Sequence, residues 1–172
     1  DGTATDLTGA PAVDFEATAE GLAAEGAEVA RVTASGRATD LTGAPAVRFE
    51  ATAEGIAAEG AEVARVTAEG RARDLTGSPM VEVTARAEDI AAEGATVAAV
   101  TAEVTARDLT GAASAVFDVA AEEIEAAGFA VARAGAKGRA TDLTGAPAVR
   151  FEAEAEGIAG EGVAVARVTA EG

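Results

Sequence analysis

The chain contains no cysteine, histidine, tryptophan or tyrosine, and its 172 residues include one methionine and five phenylalanines. Without cysteine there is no disulfide and no thiolate metal site, and without histidine neither a Ser-His nor a Cys-His nucleophile pair can be assembled. Lysine is nearly missing as well, Lys137 being the only one. Thirteen basic residues against thirty acidic ones leave a formal net charge of −17. That balance excludes the clustered cations on which nucleic-acid binding depends, and it repels anionic lipid headgroups. No apolar run approaches the roughly 20 residues of a membrane-spanning helix, and no charged-then-apolar leader opens the chain. The segment is therefore expected to be soluble.

What is present is repetition. Asp-Leu-Thr-Gly recurs at Asp6, Asp40, Asp74, Asp108 and Asp142, at one constant spacing. A fixed period of about 34 residues marks stacked supersecondary units that bury their apolar faces against one another, so function is sought in a surface rather than a triad. Residues 1–172 read as one repeat domain, with units at about 2–35, 36–69, 70–103, 104–137 and 138–171. The chain opens in mid-unit and ends on Gly172, the unit position of Gly36, Gly70 and Gly138. A portion of a longer array, with any anchor or signal outside it, is the expectation. Units 36–69 and 138–171 differ only at Thr52/Glu154, Ala58/Gly160, Ala61/Val163 and Glu62/Ala164, as recent duplication or consensus design would produce.

Abundant Ala and Glu favour helix, and tetratricopeptide repeats share this period. Yet that family's aromatic and proline anchors are missing, and a helix from Glu54 to Arg71 would enclose Gly55, Gly60 and Gly70 at a cost of about 3 kcal/mol. Periodicity decides for strands. Val47-Arg48-Phe49-Glu50-Ala51-Thr52-Ala53-Glu54 alternates apolar and polar without a fault, as does Val81 to Glu88. After Gly60, Ala64, Val66, Ala68, Gly70 and Ala72 alternate with Arg65, Thr67, Glu69, Arg71 and Arg73. A two-residue period is that of a half-buried strand, and Glu59-Gly60 and Asp74-Leu-Thr-Gly-Ser-Pro79 read as turns. Each unit thus supplies two strands of about 12–15 residues, roughly 40–50 Å long. The fold expected is all-β: a curved antiparallel repeat sheet, solenoid-like. Ile56 follows Gly55 where a polar residue is due, which a bulge or bend at Gly55 would explain.

Opposite charges also suggest a register. Pairing Arg37 with Glu50 places Arg73 against Glu82, Glu69 against Arg86, Lys137 against Glu154 and Arg139 against Glu152, with Thr105 against Asp118. An offset of two residues satisfies some pairs too.

The five aspartates invite reading as a carboxylate ladder for Ca2+. A hard cation wants six to eight oxygens and each turn offers one carboxylate, so a turn-forming role fits better, with Asp accepting hydrogen bonds and Gly taking the left-handed conformation. The inserted Leu breaks the aspartic-protease Asp-Thr-Gly signature. No Gly-x-x-x-x-Gly-Lys phosphate loop is present, and the Glu and Arg residues read as a solvated face. No catalytic residue, metal ligand or cofactor is assigned, and the protein is expected not to be an enzyme. The candidate site is the apolar stripe: Val13, Phe15, Ala17, Leu22, Val32, Val47, Phe49, Ala51, Ile56, Val66, Val81, Val83, Ile90, Val100, Phe117, Val119, Ile124, Phe151, Ile158 and Val168. Periodicity leaves two outcomes open for it, a core closed by a second layer or a trough open to lipid chains.

The unit from Val47 to Gly77 has an alternating strand ending in Ala-Glu-Gly-Ile, a short turn, and a second strand ending in Gly-Arg-Ala before Asp-Leu-Thr-Gly. This pattern resembles the repeats of TamB and AsmA-like bacterial envelope proteins, across all five units. The resemblance implies a β-taco with a hydrophobic groove, in the periplasm or envelope of a diderm bacterium. It also implies phospholipid as the partner, moved between membranes, and an outer-membrane β-barrel as a further partner. It carries over apolar-strand positions and no catalytic residue. The rival expectation is a structural β-solenoid spacer or a consensus-designed repeat protein with a closed core.

Overall fold

The computed structural model describes residues 1–5, 11–24, 26–58 and 60–172. They form one antiparallel sheet of eleven strands: β1 (Gly2–Thr5), β2 (Ala12–Ala24), β3 (Ala27–Thr39), β4 (Ala46–Ala58), β5 (Ala61–Arg73), β6 (Met80–Ala92), β7 (Ala95–Arg107), β8 (Ser114–Ala126), β9 (Phe129–Thr141), β10 (Ala148–Gly160) and β11 (Val163–Glu171). There is no helix among the described residues. Strand order in space is strand order in sequence, and β1 does not meet β11, so the sheet is an open meander. The alternation that predicts strands is thus realised, and β2 through β10 all have the same length. The starts of the even strands at Ala12, Ala46, Met80, Ser114 and Ala148 keep the spacing of the sequence repeat.

The turns are built differently from expectation. It is the aspartate, not the glycine, that takes the left-handed conformation: φ is 54° at Asp40, 53° at Asp74, 53° at Asp108 and 52° at Asp142. Asp is one of the few side-chain-bearing residues that visits this region readily. From there the Asp40 carboxylate accepts the Ala44 N–H at 3.1 Å, Asp74 that of Ser78 at 3.2 Å and Asp142 that of Ala146 at 3.1 Å. Glycine serves space instead: a Cβ on Gly43, Gly77 or Gly145 would stand 2.7 Å from the carboxylate of its own turn. Successive turns on this end of the sheet are tied together, Leu143 N–H donating to the Ala113 carbonyl at 3.0 Å and the Thr144 hydroxyl to that of Gly111 at 2.7 Å. The Asp6 turn lies outside the described residues, as does Glu59 of the Glu59-Gly60 turn. At the opposite end, Ala92 pairs with Ala95 and Ala126 with Phe129, leaving two-residue hairpin loops whose glycines, Gly94 and Gly128, have φ of 75° and 82°.

Gly55 marks a bend rather than an inserted bulge. Glu54 pairs with Arg65 and Ile56 with Val63, so the ladder drops one position on each strand and resumes without slipping. The same happens in every long strand pair. Gly21, Gly55, Asp89, Glu123 and Gly157, with φ between 51° and 65°, stand in one row across the sheet, alternating with Ala30, Ala64, Ala98 and Ala132. A left-handed residue turns the strand about its own axis, which restarts the alternation and accounts for the phase shift.

Candidate functional site

The register sorts the candidate stripe into rows, because directly opposed residues share a face. One row runs Gly2, Phe15, Gly36, Phe49, Gly70, Val83, Val104, Phe117, Gly138, Phe151, with Gly172 hydrogen-bonded to Phe151 at its end. Beside it lie a row through Val13, Val47 and Val81, a row of Ala17, Ala51 and Val119 with other alanines, and a row in which Val32, Val66, Val100 and Val168 alternate with alanine. Beyond the bend, Leu22, Ile56, Ile90, Ile124 and Ile158 alternate with Val29, Val63, Val97, Val131 and Val165. Every residue of the sequence-derived stripe falls in one of these rows, and none of the rows contains a charge.

The phenylalanine row explains the register. A Cβ on Gly70 would stand 2.6 Å from the Phe49 ring, one on Gly138 2.7 Å from that of Phe117, and one on Gly172 2.6 Å from that of Phe151. Each ring therefore lies over the glycine of the next strand, covering backbone that has no side chain of its own. Where the third unit meets the fourth both partners change, and Val83 faces Val104. Two medium side chains there take the place of one large and one absent.

That packing overrides the charge-derived register, which is off by two residues. Glu50 faces Ser35, Arg73 faces Met80, Glu69 faces Thr84 and Thr105 faces Val116, while Lys137 faces Glu152. Like charges even stand opposed, Arg37 with Arg48 and Arg139 with Arg150. The ion pairs that form are direct or diagonal across strands, including Arg65 to Glu54 at 2.8 Å, Lys137 to Glu152 at 3.5 Å and Arg73 to Glu82 at 3.8 Å, or lie along one strand, as Arg86 to Glu88 at 2.9 Å. All involve half-exposed or exposed side chains, where such pairs contribute little and cannot dictate register. Arg71 also hydrogen-bonds Glu82, and this bond, more than charge alone, holds the Glu82 carboxyl below the usual range and raises the arginine.

Among the described residues nothing covers the apolar rows. Contacts between elements run only between consecutive strands among the described residues, so no second layer lies over these rows within them. Phe15, Leu22, Phe151 and Val168 remain 37%, 46%, 41% and 48% exposed. The total accessible surface is 10827 Å², against about 7,600 Å² for a compact monomer of this mass. The excess is what a single-layer sheet leaves bare.

Two features escape the sequence reading. The valine partners Val29, Val63, Val97, Val131 and Val165 recur once in every unit, but the restart of alternation at Ala64 hides that they share a row with Ile56 and its equivalents. Leu41, Leu75, Leu109 and Leu143, second residues of the Asp-Leu-Thr-Gly turns, stand 40–44% exposed along one end of the sheet as an apolar rim. Their recurrence is the signal that marks them. Among the described residues no three acidic groups converge as a metal site, and Asp40, Asp74 and Asp142 each accept a hydrogen bond from the backbone N–H four residues on. Comparison with known proteins gives no match: no family model, no curated protein and no solved structure matches the chain.

Proposed function

We propose that the uncovered apolar face is a passive surface for acyl chains, and that the chain is a segment of a TamB/AsmA-like bridge that conducts phospholipid across the periplasm of a diderm bacterium. No bond is made or broken. The apolar rows hold hydrocarbon, and the acidic opposite face keeps the sheet solvated. An outer-membrane β-barrel is the partner that such a bridge would deliver to. The observation carrying this reading is a set of charge-free rows that crosses the sheet strand after strand with no second layer over it. Exposed apolar areas beyond a few hundred Å² mark interaction sites, and small residues leave room for a guest where a self-filling core would place larger ones.

Lipid carried through purification tests the proposal. Phe49→Arg or Val66→Arg should strip phospholipid from a chain that keeps its β-sheet circular dichroism. Unchanged lipid content in both would overturn it. The second reading, a structural spacer, draws on units 36–69 and 138–171 being nearly the same sequence. It expects no lipid in a native mass spectrum.

A further inference from the structure

We infer that a second copy of this chain covers the apolar face, two sheets packing face to face. The inference goes beyond the acyl-chain reading and stands or falls separately from it. Thirteen residues at about 3.3 Å, across ten strand intervals of about 4.8 Å, give each sheet a face of roughly 2,000 Å². Two such faces joined would remove about 4,000 Å² from water, within the 2,000–5,000 Å² of obligate homodimers and well above what transient contacts bury.

Charge points to a like partner. The rows through Val47, Phe49, Ala51 and Val66 carry no charge on any strand, so two copies meet there without opposing like charges, while Arg31, Arg65, Glu54, Glu122 and their neighbours form ion pairs on the other face. An isologous pairing needs a self-complementary surface, and the rings lying over glycines level the row that would otherwise be most uneven. Stacked sheets pack about 10 Å apart, which leaves both acidic faces outward.

Sedimentation equilibrium of the 172-residue chain tests this. The expected mass is twice 16.7 kDa, with association tightening as salt rises from roughly 20 mM to 500 mM, because two chains of −17 repel until the outward charges are screened. Ala68→Arg and, separately, Ala102→Arg should each give monomers with sheet circular dichroism intact, whereas Thr67→Arg, in the row facing the other way, should leave the dimer. A wild-type monomer throughout the micromolar range, or a dimer that survives both alanine substitutions, would overturn it. The lipid content of the same samples separates the two proposals. A dimer without lipid keeps this inference and sinks the acyl-chain reading, and a monomer carrying lipid does the reverse.

Discussion

At the scale of single residues, the Phe–Gly pairs are the chief determinant of register. Each ring covers a neighbouring glycine, and Val83 with Val104 shows that the pair can be exchanged as a unit. Gly70→Val alone should destabilise the sheet by about 1–3 kcal/mol, because its Cβ would press on the Phe49 ring and on the Glu82 carbonyl. Phe49→Val with Gly70→Val should recover most of that loss, read as a coupling energy in a urea-denaturation double-mutant cycle. Additive losses would show that the pair is not a unit. The turn aspartates act through conformation and carboxylate together. Asp74→Ala loses the bond to Ser78 and places alanine at φ 53°, so a loss of about 1–2 kcal/mol is expected, and Asp74→Asn should keep most of the stability. Glu82 supplies a pH signature. Its carboxyl is lowered by Arg71, so its contribution is present above the unfolded glutamate range and is lost as pH falls through the lowered folded value. The melting-temperature gap between the native chain and Glu82→Gln should therefore be full at neutral pH and close under acid. A gap independent of pH would contradict the assigned bond.

At the scale of elements, the strand is the unit most legible from sequence. Val47 to Glu54 alternates so cleanly that β4 is read nearly to its ends, and the Asp-Leu-Thr-Gly turns at Asp40, Asp74, Asp108 and Asp142 fall where they should. Register is less legible, since exposed Arg and Glu residues satisfy several alignments, and only the fit of ring to glycine discriminates among them. The bend is visible at Gly55 but concealed on the return strand, where Ala64 suits either phase. Its backbone requirement is the same in every unit, yet Asp89 and Glu123 occupy it with side chains at φ 51°. Asp89→Gly and Glu123→Gly should each raise stability by about 0.5–1 kcal/mol, since glycine adopts this conformation without steric cost. Gly55→Ala should lower it, its Cβ falling 2.8 Å from that of Ala30. Equal effects at the three sites in a thermal melt would show that the row has no shared conformational demand.

At the scale of the whole molecule, the sheet is a single layer with no interior of its own. Among the described residues only Ala12, Ala99, Ala113 and Ala140, with Pro11 and Pro79, are buried. Openness of this face could not be read from sequence, because strict alternation describes a half-buried strand whether its partner is protein or lipid. The charge-free rows are the property that both proposals build on, and the acyl-chain reading is tested most directly by finding where a lipid touches. A phospholipid with a photoactivatable diazirine on its acyl chain, photolysed with the wild-type chain and mapped by peptide mass spectrometry, should label Ala51, Val66 and Ala85 and spare Thr52, Thr67 and Arg86. Equal labelling of the two sets, or none on the first, would contradict the account.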